Sequence, residues 1–173
     1  VNKGMEDGVA PLLLAAQRSG SANFVKWLIS KGAHLNVRDH LGYSPLMLAV
    51  SRKDEELVDV LIGAKADPDV QDNNGITALN LAAQEGNIVM TEKLIKANAS
   101  INLADNEGYT PLLKAALFLP KKTGFKGKHC KVIELLLKNG ADKHARIKIG
   151  GYNFTALTFA QNHENKAAEN LLK

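Results

Sequence analysis

YTPLLKAAL, residues 109–117, is the stretch from which the fold can be read. A hydroxyl residue, Thr110, stands just before Pro111, and a run of Leu and Ala follows. Proline suits the first turn of a helix, where its missing N–H would be unpaired in any case, and a hydroxyl before it can accept from the exposed N–H groups. The string therefore reads as the start of a short helix. It recurs: VAPLLLAAQ begins at Val9, YSPLMLAVS at Tyr43, ITALNLAAQ at Ile76 and FTALTFAQN at Phe154. The residues preceding each Pro or Ala are Ala10, Ser44, Thr77, Thr110 and Thr155, at spacings of 34, 33, 33 and 45. A period of this length marks a repeat architecture, each unit being one small supersecondary structure.

Working outward, a second string keeps the same phase. WLISKGAHLN begins at Trp27, VLIGAKADPD at Val60, KLIKANASIN at Lys93 and LLLKNGADKH at Leu135. Each unit thus reads as helix, short turn, helix and returning loop. The second helix is expected to close at Gly32, Lys65, Asn98 or Gly140; Gly and Asn accept the left-handed conformation of a helix end, and Lys65 is the poor fit. The loops carry Asp39-His-Leu-Gly42, Asp72-Asn-Asn-Gly75 and Asp105-Asn-Glu-Gly108, with Gly supplying positive φ at the bend. Val37-Arg38 and Leu103-Ala104 on one side, with Tyr43 and Tyr109 on the other, can form the short arms of hairpins near 36–44, 69–77 and 102–110.

This pattern resembles the ankyrin repeat, whose T-P-L-H-x-A core and 33-residue period it follows from about Met5 to the end. The resemblance implies an all-α repeat solenoid, a single domain over 1–173. Its units fall at about 5–38, 39–71, 72–104, 105–150 with an insertion, and 151–173 as the C-terminal cap. It implies an L-shaped stack with helices behind, β-hairpin loops in front and one concave face. One departure is consistent: the family's His is replaced by Leu13, Met47, Asn80, Leu113 and Thr158, so its hydroxyl–imidazole bond must be lost or replaced.

Terminal units of such arrays need polar outer faces. In the last unit Asn162, His163, Glu164, Asn165, Lys166, Glu169, Asn170 and Lys173 surround Ala167, Ala168, Leu171 and Leu172. The first unit carries Leu12, Leu13, Leu14, Phe24, Val25, Trp27, Leu28 and Ile29 with little polar cover. Its outer face is expected to lie against something, and the natural protein to continue with repeats or domains before Val1.

The fourth unit is 12 residues too long. About nine of these lie between its helices, within 117–129, and about three in the loop 145–153. Loops are where function concentrates, although insertions there also cost little. Between Leu119 and Gly150, nine cations (Lys121, Lys122, Lys126, Lys128, Lys131, Lys138, Lys143, Arg146 and Lys148) face only Glu134 and Asp142. That local excess of +7 in a chain of net +4 leaves −3 elsewhere. Such asymmetry attracts an acidic peptide, acidic lipid or nucleic acid, with Phe118 and Phe125 able to add contacts; a solvated lysine loop is the plainer alternative. No nucleic-acid motif accompanies the patch.

The sequence lacks the constellations of catalysis. His163-Glu164 begins like H-E-x-x-H, but Ala167 stands where the second His is needed. His129 and Cys130 are neighbours whose side chains diverge on a helix. The other histidines have no ligand spacing, Gly127-Lys128 fails as a phosphate loop, and Asp54, Glu55 and Glu56 form a helix-start cluster. No cofactor is implied. Cys130 is the only cysteine, which is compatible with a reducing compartment. No apolar run approaches a membrane span.

Function is therefore expected to be the binding of another protein. By the resemblance, the contacts are His40, Leu41 and Tyr43; Asn73, Asn74 and Ile76; and Asn106, Glu107 and Tyr109 at the tips. On the first helices they are Gln17, Arg18, Ser51, Arg52, Gln84, Glu85, Leu117 and Phe118. Tyrosine brings large area at small entropy cost, which favours Tyr43 and Tyr109. The alternative is an electrostatic binder working through residues 120–148. Asn36 and Asn102, at the end of L-x6-[LIV]-N strings, resemble the sites of an asparaginyl hydroxylase; their plainer role is in loop structure.

Overall fold

The computed structural model describes residues 2, 10–18, 20–119 and 127–173. It has two compact units, Val1–Ala78 and Leu79–Lys173. The first holds α1 (Pro11–Ala16), α2 (Ala22–Ser30), α3 (Pro45–Ser51) and α4 (Glu55–Gly63). α5 (Ala78–Gln84) opens the second, followed by α6 (Ile88–Lys96), α7 (Pro111–Leu117), α8 (Lys128–Lys138), α9 (Ala156–Asn162) and α10 (Lys166–Leu172). The two strands among the described residues, β1 (Ile147–Ile149) and β2 (Tyr152–Phe154), form one antiparallel hairpin.

The helices start where the repeated string places them. Ser44 Oγ accepts from the Met47 N–H at 3.2 Å, Thr110 Oγ1 from Leu113 at 3.3 Å and Thr155 Oγ1 from Thr158 at 3.3 Å. The second helices are capped by Asp54, Asn87 and Asn165, which accept from the N–H three residues on. Their ends turn left-handed at Gly32, Lys65, Asn98 and Gly140, with φ of 79°, 69°, 62° and 89°. Lys65 thus takes the same conformation as its glycine counterparts, although a Cβ makes it less favourable there.

Each unit has its own apolar core. In the first, α1 packs on α2 and α3, and α4 on α2 and α3, burying Leu12, Leu13, Val25, Leu28, Leu46, Met47, Leu57 and Leu61. In the second, α8 packs on α6, α7 and α10, and α9 on α7 and α10, burying Leu94, Leu112, Leu113, Ile133, Leu136 and Phe159. Leu13, Met47 and Leu113, at the family's His position, are apolar core; Asn80 is buried and donates to the Tyr109 carbonyl at 3.3 Å; Thr158 completes a capping box with Thr155.

Two expectations about the ends are corrected. Leu12, Leu13, Val25 and Leu28 do not lie on an apolar outer face, because helical periodicity turns them inward against α3 and α4. Phe24 (53% exposed) and Trp27 (51%) remain outside, stacked on each other at 5.7 Å, and Leu14 and Ile29 are half-buried. In the last pair, Asn165 and Glu169 are buried and not part of the polar cover. Asn165 is held as the α10 cap, and its Oδ1 accepts from Cys130 Sγ at 3.7 Å; Glu169 accepts from Lys166 Nζ at 3.1 Å.

A recurrent asparagine bridges successive loops. Asn36 Oδ1 accepts from the Asp67 N–H at 2.9 Å. Asn102 Oδ1 accepts from Asp142 N–H at 2.8 Å while its amide donates to the Gly140 carbonyl at 3.1 Å. Asn2 does the same with His34 N–H and the Gly32 carbonyl, at 2.9 and 3.0 Å. Asn36 and Asn102, both exposed, thus each have a structural role.

Candidate partner-binding surface

Three turns are built alike, and an aspartate organises each. Asp39 Oδ1 accepts from the N–H groups of Leu41 and Tyr43 at 2.9 and 2.8 Å. Asp72 does so with Asn74 and Ile76, both at 2.8 Å, and Asp105 with Glu107 and Tyr109 at 3.0 and 2.9 Å. The backbone closes behind them: Asp39, Asp72 and Asp105 N–H each donate to the carbonyl four residues on, and Gly42, Gly75 and Gly108 N–H donate back to the aspartate carbonyl. These are hairpin-like turns without strands. Five residues give room for one pair of backbone bonds and no ladder, so the expected arms at Val37-Arg38 and Leu103-Ala104 do not form strands.

With the carboxylate facing inward, the residues between Asp and Gly face outward. His40, Leu41 (55% exposed), Asn73, Asn74, Asn106 and Glu107 are all exposed. Asn73 also serves the fold, since its Oδ1 accepts from Arg38 at 3.0 Å and its amide donates to the His40 carbonyl at 2.9 Å. Tyr43, Ile76 and Tyr109 are half-buried. Burial raises the Tyr43 hydroxyl above its ordinary value of 10.0, helped by Asp72 and Asp39. Tyr109 is raised by burial, then by Glu107 and Asp105. Both rings are neutral hydrogen-bonding groups at physiological pH.

Models of a family described as ankyrin repeats (3 copies) match residues 1–72 and 46–147. The chain belongs to the ankyrin-repeat family. No curated protein matches it. Ankyrin repeats are in general protein–protein interaction modules and typically not enzymes. No helix among the described residues is long and apolar enough to cross a membrane. Among those residues no group of three or more His, Cys, Asp or Glu could hold a metal ion.

The other ankyrin positions singled out in the sequence are distributed unevenly. Gln17, Arg18, Ser51, Arg52, Glu85 and Phe118 are exposed, whereas Gln84 and Leu117 are half-buried. The Gln84 carbonyl bonds the His129 ring at 2.9 Å, and Gly86, at φ +62°, lies so close that a Cβ would sit 3.0 Å from that ring. His129 is thus a packing residue, and Cys130 is buried. Of the basic segment, Lys128, Lys131, Lys138, Arg146 and Lys148 are exposed and Lys143 half-buried, its Nζ donating to the Lys173 carbonyl at 2.9 Å. Lys121, Lys122, Lys126 and Phe125 lie outside the described residues.

Two features escaped the sequence reading. Lys114 is buried, 2.7 Å from Asp105 Oδ2 and 4.6 Å from the Tyr109 ring centre, so one cation locks the third turn to its helix. Its equivalents in the other repeats are Leu14, Leu48, Leu81 and Phe159, all apolar, and that break in the period was the available signal. Ile149 and Tyr152 are the second, at the tip of the β1–β2 hairpin. The Gly-Gly pair between two alternating triplets announces that hairpin.

Proposed function

We propose that this ankyrin-repeat chain is a non-catalytic scaffold that binds another protein through its turn tips and first helices. In the first unit the contacts are His40, Leu41, Tyr43, Ser51, Arg52, Asn73, Asn74 and Ile76; in the second, Gln84, Glu85, Asn106, Glu107, Tyr109, Leu117 and Phe118. The observation that carries this is the division of labour in the turns. Asp and Gly supply the turn geometry, leaving His40, Leu41, Asn74 and Glu107 exposed at positions the turn does not constrain. An exposed leucine at such a tip favours a partner with an apolar contact. The reading of residues 1–173 as one domain of five units belongs to the same proposal and rests on the repeat phase; a single cooperative unfolding transition is its expected signature.

The test is affinity capture from the source cell with the wild-type chain, a Leu41→Ser variant and a Tyr43→Ala/Tyr109→Ala variant. A protein recovered by the wild type and lost by both variants, each still folded, supports the reading. Equal recovery by all three refutes it.

The partners we propose include sequence upstream of Val1, for which Phe24, Trp27 and a hollow of about 260 Å³ beside Pro11, Leu14 and Phe24 form the seat. Trp27 is the only tryptophan, so its emission reports cover directly: it should shift to the blue in a longer gene product. An unshifted band would remove that part of the proposal. The exposed cations of 128–148 favour a second reading, binding of an acidic ligand, which predicts a steep loss of affinity with salt if the ligand is nucleic acid.

A further inference from the structure

The hairpin of the second unit differs in kind from the other turns. Gly150 and Gly151 have φ of +57° and +86°, the pattern of a two-residue type I′ turn, whose twist matches that of the strands it joins. The register pairs Ile147 with Phe154, Lys148 with Asn153 and Ile149 with Tyr152. Because side chains alternate, Ile147, Ile149, Tyr152 and Phe154 share one face, and Lys148 and Asn153 the other.

That apolar face is covered at one end only. Ile147 is 5% exposed, and Phe154 stacks on Phe159 of α9 at 5.6 Å. One step further out, Ile149 is 40% exposed and Tyr152 75%. A closing pair next to a Gly-Gly turn needs neither side chain for its geometry, and a Thr or Lys would serve there without presenting apolar surface to water. The surroundings are cationic. From Gly140 to Phe154 the chain carries Lys143, Arg146 and Lys148 against one acid, Asp142, whose Oδ1 already accepts from the His144 N–H at 2.8 Å. Arg146 and Lys148 are exposed on the face opposite the apolar pair. A two-stranded ribbon is thin, and long cationic side chains reach around its edges.

We propose that the tip of the β1–β2 hairpin is a docking site for an acidic peptide segment bearing an aromatic or branched aliphatic side chain. The apolar side chain packs on Ile149 and Tyr152, and its flanking carboxylates pair with Arg146 and Lys148. Tyrosine supplies the anchor with only two side-chain torsions to freeze, and the cations set orientation and association rate. This rests on the reading of the chain as a protein-binding module but uses a separate element from the Asp-Gly turns.

The experiment is selection of random twelve-residue peptides displayed on phage, against the wild-type chain, with an Ile149→Ser/Tyr152→Ser variant as the counter-target. The recovered peptides should combine Asp or Glu with Phe, Tyr, Trp, Leu or Ile. Synthesised singly, they should bind the Ser variant and an Arg146→Glu/Lys148→Glu variant at least about tenfold more weakly, the size expected for loss of one interface anchor. Circular dichroism should show all three proteins equally folded; the charge variant keeps the apolar pair, so the two contributions are read separately. No enrichment over the counter-target, peptides without acids, or undiminished binding to either variant overturns the proposal. So does competition by a homopolymeric oligonucleotide at equal charge, or a wild-type dimer in sedimentation that the Ser variant abolishes, which would make a second copy the occupant. A Leu41→Ser variant separates the two readings: its peptide binding should be unchanged even where it loses the cellular partner.

Discussion

The first and last helix pairs meet solvent in opposite ways. On α2, Phe24 and Trp27 stack flat against each other at 5.7 Å with about half of each left exposed. On α10, the equivalent outer turns carry Lys166, Asn170 and Lys173, while the buried Glu169 carboxylate lies 3.1 Å from Lys166 and 3.9 Å from Lys173. Both helices bury one apolar stripe; they differ in what the remaining surface offers. The comparison teaches that two helices in equivalent places of the repeat, each with one buried apolar stripe, leave unlike surfaces to solvent, one aromatic and one charged.

Three substitutions would break or sharpen that contrast. Leu172→Ala strikes α10 hardest: the side chain is 4% exposed, and its loss should cost about 2–4 kcal/mol, read as a fall in urea midpoint. A cost near zero would mean that α10 is not docked as described. Asn165→Ala removes the α10 cap and the acceptor for Cys130, for about 1–2 kcal/mol. It should also speed alkylation of Cys130, since fraying of α10 uncovers the thiol; an unchanged alkylation rate would show that the cap is dispensable. Trp27→Leu should change stability least, within about 1 kcal/mol, because the residue is half exposed, Leu keeps part of the apolar contact, and the stacking on Phe24 is the main loss. Its effect belongs elsewhere: binding of a hydrophobic dye should drop. A large loss of stability instead would place the Trp27 ring in the core and erase the difference between the two helices.

The fold was legible because the repeated string carries its own geometry. Ser44, Thr110 and Thr155 cap the helices they precede, and Gly32 and Gly140 close the helices they follow. Lys65 looked unsuited to its position and nevertheless turns left-handed, which lets the Lys65 and Ala66 N–H groups donate to the Ile62 and Leu61 carbonyls and close α4. Burial in the first and last pairs was less legible. Val25 and Trp27 look alike as apolar letters, and only the arc of α2 that meets α4 separates them. Asn165 and Glu169 look solvent-facing in the sequence, because a cap and a carboxylate between two lysines read there like any solvated pair. Among the candidate contacts, the exposed tips followed from the Asp-x-x-Gly spacing, whereas the Lys114–Asp105–Tyr109 lock spans nine residues and a helix start. Residues 145–153 were read as a loop with extra length; the two consecutive left-handed glycines instead fold that length into a ladder.

The asparagine bridges carry a mechanical consequence. Asn36 reaches Asp67 across 31 positions, while Asn102 reaches Asp142 across 40, yet both close on the same backbone group at 2.9 and 2.8 Å. The clasp is thus indifferent to how much chain lies between its ends. Under tension, once a clasp has parted and the helices it encloses have unfolded, the chain lengthens by the stretch between its ends. At about 3.5 Å per extended residue, the contour freed is roughly 110 Å for the first and about 140 Å for the second. Pulled in an optical trap, the chain would carry the insertion as a longer step, a ruler of slack hidden inside an otherwise even series.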